Sequence, residues 1–211
     1  KDYKKILSET KKKFSDIQGY LDASIDCLNQ LYKTEPSSEF EKLKLSSGNK
    51  LLQPLIQIPV SKHIKVYQLT LLLLKKLIEH NYLQKKNCFD ITNILKSIFE
   101  QSQEENQLKI IEITLTMLNS SIINIENSQC ITNILLISLK AFSFKTIDFK
   151  NPIRLLLKLL TSTIFSQKEI KDNSTIMLCL ITYIEIIEGK RKDILPYNNI
   201  TRCLSLELLT T

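Results

Sequence analysis

The 211-residue sequence contains no tryptophan, three glycines and five prolines. A sheet protein of this length turns back on itself many times, through turns that depend on glycine and proline, so the scarcity argues against a β fold and for helices. Gly19, Gly48 and Gly189 are too scattered to assemble either G-x-G-x-x-G or G-x-x-x-x-G-K-[ST], which excludes both phosphate-cradling loops. Only two histidines occur, His63 and His80, seventeen positions apart in one expected helix. They are too few and too distant for a zinc site or a general-base constellation. The longest apolar-leaning stretch, Ile176 to Ile187, is twelve residues long and carries Thr182, Tyr183 and Glu185. A membrane helix needs about 20. The five cysteines (Cys27, Cys88, Cys130, Cys179, Cys203) are odd in number and form no C-x-x-C pair. They read as reduced thiols packed as small hydrophobes, and hence as a cytosolic chain.

What is present is enough to bury a core: 43% of residues are hydrophobic and 24% charged. Twenty-nine basic against twenty-two acidic residues leave a net charge of +7, which favours anionic partners without selecting one. Asn119, Asn173 and Asn199 begin N-x-[ST] sequons, but the lysine-rich N-terminus carries no apolar signal core, so they read as chance occurrences. Glu104 with Glu105, and Asp2, Glu9 and Asp16, are paired carboxylates without a histidine, cysteine or glycine-rich loop beside them, and read as solvated faces.

From Asp2 to Tyr32 the residues Leu7, Phe14, Ile17, Leu21, Ile25, Leu28 and Leu31 recur at helical spacing, predicting one long amphipathic helix. Lys33 to Asn49 collects Pro36, four serines and Gly48, which predicts an exposed loop. Leu51 to Ile58 then reads as a short helix ended by Pro59. Beyond Pro59 one unit recurs: HIKVYQLTLLLLKKLI from His63, QLKIIEITLTMLNSSI from Gln107 and PIRLLLKLLTSTIF from Pro152, at intervals of 44 and 45 residues. That spacing suits HEAT and armadillo helical repeats. Partner helices lie between, marked by Ile91, Ile94, Leu95, Ile98 and Phe99, then by Ile131, Ile134, Leu135, Leu139 and Phe142. Asp90 and Ser128 are the expected N-caps of these partners, and Asn151 with Pro152 the cap and first-turn proline of the next helix. Ser174 to Glu188 and Asn199 to Thr210 read as further helices, the last stopping without a cap as if the chain continues. The fold class expected is all-α, an armadillo/HEAT-like α-solenoid of stacked helix pairs.

The basic residues form the only candidate site. Lys11, Lys12 and Lys13, then Lys62, and the residues at equivalent repeat positions, Lys65, Lys109 and Arg154, make up the candidate interaction surface. With three arginines and aromatics mostly at core spacing, nucleic acid is not the expected partner. An acidic protein face or an anionic membrane surface fits dispersed lysines better.

Five strings in order carry a family resemblance: LSETKKKF at Leu7–Phe14, LLQPLIQIP at Leu51–Pro59, ITNILKSIFEQSQEENQLKIIEITLTMLNSS from Ile91, NPIRLLLKLLTSTIF from Asn151, and TRCLSLELL from Thr201. Together they resemble the N-terminal dimerisation and cyclophilin-binding (DCB) domain of the large Arf guanine-nucleotide exchange factors (Sec-type, BIG and GBF) and their Mon-type Golgi-scaffold relatives. The resemblance implies a DCB-like helical-repeat domain over residues 1–166. Residues 167–211 would then be a linker and the first helices of the homology-upstream-of-Sec7 (HUS) region. It further implies a regulatory module without catalytic residues or cofactor, peripheral on Golgi or endosomal membranes at their cytosolic face. Its implied partners are a second copy, the HUS region of the same protein, an Arf-like small GTPase or a Dopey-type protein.

Overall fold

A computed structural model describes residues 2–10, 15–60, 64–120, 122–123, 127–142, 147–166 and 174–187, together with 190 and 208. The described residues hold nine α-helices and one 3-10 turn, and no strand. The helices are α1 Asp2–Thr10, α2 Ser15–Lys33, α3 Ser38–Val60, α4 Ile64–Glu79, α5 Cys88–Gln101, α6 Glu104–Asn119, α7 Ser128–Phe142, α8 Ile147–Ser166 and α9 Ser174–Ile187, with the 3-10 turn Lys85–Asn87 ahead of α5. They fall into two compact units, 1–122 and 123–211. The fold is all-α and built of neighbouring helix pairs, as the repeats predicted.

In the first unit α3 is the hub, packing on α2, α4 and α5, while α4 packs on α6 and α5 on α6. Parallel packing of like helices follows from the cross-contacts. Gln68 meets Glu105 and Lys75 meets Glu112, so α4 and α6 run the same way with a constant offset of 37 residues. The expected partner-helix residues are in the core: Ile91, Ile94, Leu95, Ile98 and Phe99 are all buried. In the second unit α7 packs on α8 and α9, with Ile131, Ile134, Leu135, Leu139 and Phe142 buried. Tyr183 of α9 and Thr161 of α8 share a buried hydroxyl hydrogen bond of 2.9 Å.

The first 60 residues depart from the sequence expectation. The predicted single helix from Asp2 to Tyr32 is two helices: Tyr3 and Lys4 line one depression with Ile25, Leu28 and Asn29. Along one straight helix those groups would stand about 30 Å apart. The chain therefore doubles back, and α1 packs on α2 and α4. The Lys33–Asn49 loop is likewise absent, because α3 begins at Ser38. Ser37 caps it by accepting the Phe40 N–H at 3.2 Å, and Glu39 and Glu41 occupy the positive first turn. The serines that read as loop markers are absorbed by the helix, Ser46 and Ser47 donating to the Leu43 carbonyl at 2.9 and 2.6 Å. Gly48 has a positional reason: a Cβ there would stand 2.6 Å from the Tyr82 carbonyl oxygen, so only glycine lets α3 close on the α4–α5 connection.

Nor does Pro59 end the helix. Pro54 and Pro59 both lie inside α3, which runs to Val60. Proline has no N–H to offer the carbonyl four residues back, so Pro54 leaves the Lys50 carbonyl without its helical donor. Ser24 of α2 fills the gap, its Oγ 2.8 Å from that oxygen and 2.9 Å from the Tyr20 carbonyl, sharing one proton between them. One residue on, the Tyr3 hydroxyl of α1 donates to the Leu51 carbonyl. Both hydroxyl residues are buried. The acceptor that Pro54 leaves without a helical donor and the carbonyl next to it thus receive hydroxyls from two different helices, which ties α1 and α2 to α3.

Helix starts also differ by one to several residues. Asn127, not Ser128, caps α7, its Oδ1 accepting the Gln129 and Cys130 N–H groups at 3.1 and 3.2 Å. Asp90 lies in the first turn of α5 rather than at its cap, which is Asn87. Pro152 is inside α8, five residues past its start, so Asn151 is not a cap. The α4 terminus, unassigned by sequence, is a left-handed stop: Asn81 has φ 56°, and the Asn81 and Tyr82 N–H groups return to the Ile78 and Leu77 carbonyls. The expected helix Asn199–Thr210 lies outside the described residues except for Leu208.

Three outcomes follow from this packing. Ser24→Ala is expected to destabilise the fold by about 1–3 kcal/mol, since it strands the Lys50 carbonyl. In a Pro54→Ala background the restored N–H satisfies that carbonyl, so denaturant titration of the double-mutant cycle should return a coupling of at least ~0.5 kcal/mol. Strict additivity would refute the pairing. Gly48→Ala should cost about 1–3 kcal/mol by the same measurement, because the obstacle is backbone.

Burial, with a smaller push from Cys27, raises the Tyr3 hydroxyl well above the ordinary tyrosine value. The unfolded chain therefore ionises Tyr3 first as pH rises past about 10, while the folded chain keeps the proton. Its contribution is full below that pH and lost above it. Tyr3→Phe should be less stable at neutral pH yet lose stability less steeply above pH ~10; parallel slopes for the two proteins would contradict the buried phenol.

Candidate interaction surfaces

Of the predicted basic surface, Lys11, Lys12, Lys13 and Lys62 lie outside the described residues. Lys65 is in the first turn of α4, and Arg154 is exposed on α8 in the second unit. Lys109, on α6, is engaged by Glu105 of its own helix at 2.6 Å. The repeat equivalence of Lys65 and Lys109 does not bring them side by side. Their sequence interval is 44 residues, whereas α4 and α6 pack at an offset of 37, a difference of two helical turns. Lys109 consequently stands beside Leu72.

That neighbourhood is a groove of the first unit. It is a depression of about 310 Å³ lined by Gln68, Leu69, Leu72 and Lys75 of α4 and by Lys109, Glu112 and Ile113 of α6. Leu72 is 46% exposed. Its rim is charged but balanced: Lys75 faces Glu112 at 3.8 Å, Lys109 pairs with Glu105, and Gln68 donates to Glu105 at 3.4 Å. Leu72 could have been found from the sequence. Four consecutive leucines, Leu71 to Leu74, sweep about 300° of helix at 100° per residue, wider than any core-facing stripe, so one must point outward. The same argument places Leu155, 52% exposed in the run Leu155–Leu157 of the second unit.

A second groove runs between α3 and α5, which are parallel: Asn49 meets Asn87 at one end, and Pro59 lies with Asn93, Ser97 and Gln101 at the other. Two depressions of about 320 and 220 Å³ share Ile56 and Asp90 and so form one trough. Its lining is dominated by neutral amides. Asn87 is buried and fixed, donating through Nδ2 to Asn49 Oδ1 at 2.7 Å and accepting the Gln84 N–H at 3.1 Å. Gln101 Oε1 accepts the Tyr67 hydroxyl at 2.7 Å, and burial raises that phenol above its ordinary pKa, keeping it a donor.

Neither groove gathers the parts of a reaction. Among the described residues no three of His, Cys, Asp or Glu come together to hold a metal ion. His80 is exposed just past the end of α4, and Cys27, Cys88 and Cys130 are buried and form no disulfide. No helix of the described residues is long and apolar enough to cross a membrane. What the arrangement offers is shape: two walled grooves, one apolar with a balanced ionic rim, one lined by amides.

Comparison with known proteins agrees with a binding architecture. No solved structure matches the chain. Among curated proteins, the Protein MON2 homolog of Drosophila melanogaster is 26% identical over 124 residues, which cover 58% of this chain. The matched segment spans only 7% of that relative's length. The profile of the Mon2/Sec7/BIG1-like dimerisation and cyclophilin-binding domain matches residues 1–149, about seven-tenths of the chain. With that coverage and a described fold of stacked helix pairs, the chain belongs to the DCB family.

Proposed function

We propose that this chain is a scaffold module of a Golgi–endosome trafficking protein, making protein–protein contacts at the cytosolic face of the membrane without catalysing a reaction. The observation that carries the reading is the DCB match over residues 1–149, on a fold whose described surface presents grooves and no reactive constellation. The Mon2-type relative supports the trafficking context. On this reading the DCB-like unit extends to about residue 166, and the remainder opens a HUS-like region.

The α4/α6 groove is the proposed seat for a second copy. Two chains of charge +7 repel at most of their surfaces. This face carries Lys75 and Lys109 against Glu105 and Glu112 around an exposed Leu72, so two copies approach there without net like-charge contact. An Arf-like GTPase or a Dopey-type protein would occupy other faces. The basic set Lys11–Lys13, Lys62, Lys65 and Arg154 is proposed to hold the module near anionic lipid, an attraction that salt weakens.

Sedimentation equilibrium of the chain and of Leu72→Asp tests the self-contact. A concentration-dependent dimer is expected, weakened about tenfold or more by the substitution, since a buried leucine contact is worth at least ~1.4 kcal/mol. A monomer at all concentrations, or a dimer indifferent to Leu72→Asp, would refute this seat. Pull-down with GTP- and GDP-loaded Arf-like proteins tests the second partner, and equal recovery from both would count against it.

A further inference from the structure

The α3/α5 trough has a chemical character different from the rest of the surface. Asn49, Gln53, Asn93, Ser97 and Gln101 line it with polar side chains over an apolar floor that includes Ile56 and Ile94. Asn49 Oδ1 and Gln101 Oε1 already accept from Asn87 and Tyr67, so these two amides offer their NH2 groups, while Gln53 and Ser97 offer both a donor and an acceptor. Such a lining matches the alternating N–H and C=O groups of an extended polypeptide, which a bare helix or a flat apolar face does not require. From Lys86 to Gln101 the trough is about 20 Å long, room for roughly six or seven residues of extended chain at ~3.3 Å each.

Two charges set the register. Asp90 lies where the two halves of the trough join, Lys86 lies toward its Asn49 end, and among the described residues no other charged side chain lines it. Neither enters an ion pair among the described residues, in contrast to the α4/α6 rim. Four positions apart across the 3-10 turn and the start of α5, they are separated by about 6–7 Å along the axis. Side chains two positions apart on an extended strand project from the same side at ~6.6 Å, so the two spacings coincide. Lys86 also precedes the positive end of α5, which adds to its attraction for an acidic group.

We infer that the α3/α5 trough receives an extended segment of a partner polypeptide bearing a basic and an acidic side chain two positions apart, the basic one at Asp90 and the acidic one at Lys86. The amides bind the segment's backbone and the two charges fix its register. This site is separate from the proposed self-contact, and its occupancy does not require a second copy.

The test uses two capped heptapeptides of identical composition, Ser-Val-Arg-Val-Glu-Val-Ser and Ser-Val-Arg-Glu-Val-Val-Ser, titrated into the labelled chain and followed by nuclear magnetic resonance. The first peptide should shift the side-chain amide signals of Asn49, Gln53, Asn93 and Gln101. It should bind at least about threefold tighter than the second, whose charges project to opposite sides. Asp90→Asn and Lys86→Gln should each weaken it about three- to tenfold and remove the preference. Leu72→Asp should leave the response intact, which separates this site from the self-contact. Equal binding of the two peptides, indifference to Asp90→Asn, shifts confined to other faces, or no binding at millimolar peptide would each overturn the assignment.

Discussion

Within the first unit, α1, α2 and α3 are locked by a defect in a helix. Pro54 withholds an N–H from the Lys50 carbonyl inside α3, and a part-buried acceptor left without a donor costs up to about 1–3 kcal/mol. Ser24 supplies that donor from α2 and Tyr3 supplies the adjacent one from α1, so hydrogen bonding and apolar packing select the same arrangement. Apolar faces alone would tolerate sliding by a turn; a hydroxyl that must meet one particular carbonyl does not. Because α3 also packs on α4 and α5, this registration positions the trough wall that carries Asn49, Gln53 and Ile56.

Both grooves arise from stacking like helices in parallel. Parallel neighbours keep a constant offset, so a side chain on one helix meets the same kind of neighbour turn after turn, and a groove rather than an isolated pocket results. On α4 and α6 the offset sets Lys75 against Glu112, Lys109 pairs with Glu105 of its own helix, and Leu72 lies beside them. On α3 and α5 it lines up amides. A cationic chain therefore presents near-neutral recessed faces, and its excess of lysine lies elsewhere. Charge of this kind governs encounter, while recessed faces govern which partner stays.

The sequence displayed the regular part of this fold and hid the irregular part, for identifiable reasons. From α4 to α9 the core is written in isoleucine and leucine at helical spacing, and Ile91, Ile94, Leu95, Ile98 and Phe99 are buried as that spacing requires. In α3 the local signals point the other way. Pro36, the serines, Gly48 and the two prolines each favour a loop locally, yet Ser37 caps, Ser46 and Ser47 bond back to Leu43, Gly48 admits Tyr82, and Pro54 is compensated from outside. Only the last two depend on distant residues; a capping serine behind a proline is a local signal for a helix start. The separation of α1 from α2 left no sign, since apolar spacing runs on in the sequence from Leu7 to Ile17. Of the candidate surface, the repeat marked Lys109 but not its neighbours, because a sequence period says nothing about the axial offset at which helices pack.

Because α3 is the element that local signals most strongly oppose and that tertiary contacts most strongly impose, hydrogen exchange of its backbone amides bears on the account most directly. If α3 is one helix registered by Ser24 and Tyr3, amides beyond its first turn, on both sides of Pro54, should exchange slowly and together, at the rate set by opening of the first unit. Rapid, independent exchange through residues 42–49, with protection beginning only near Leu51, would contradict it and restore an exposed loop in place of the hub.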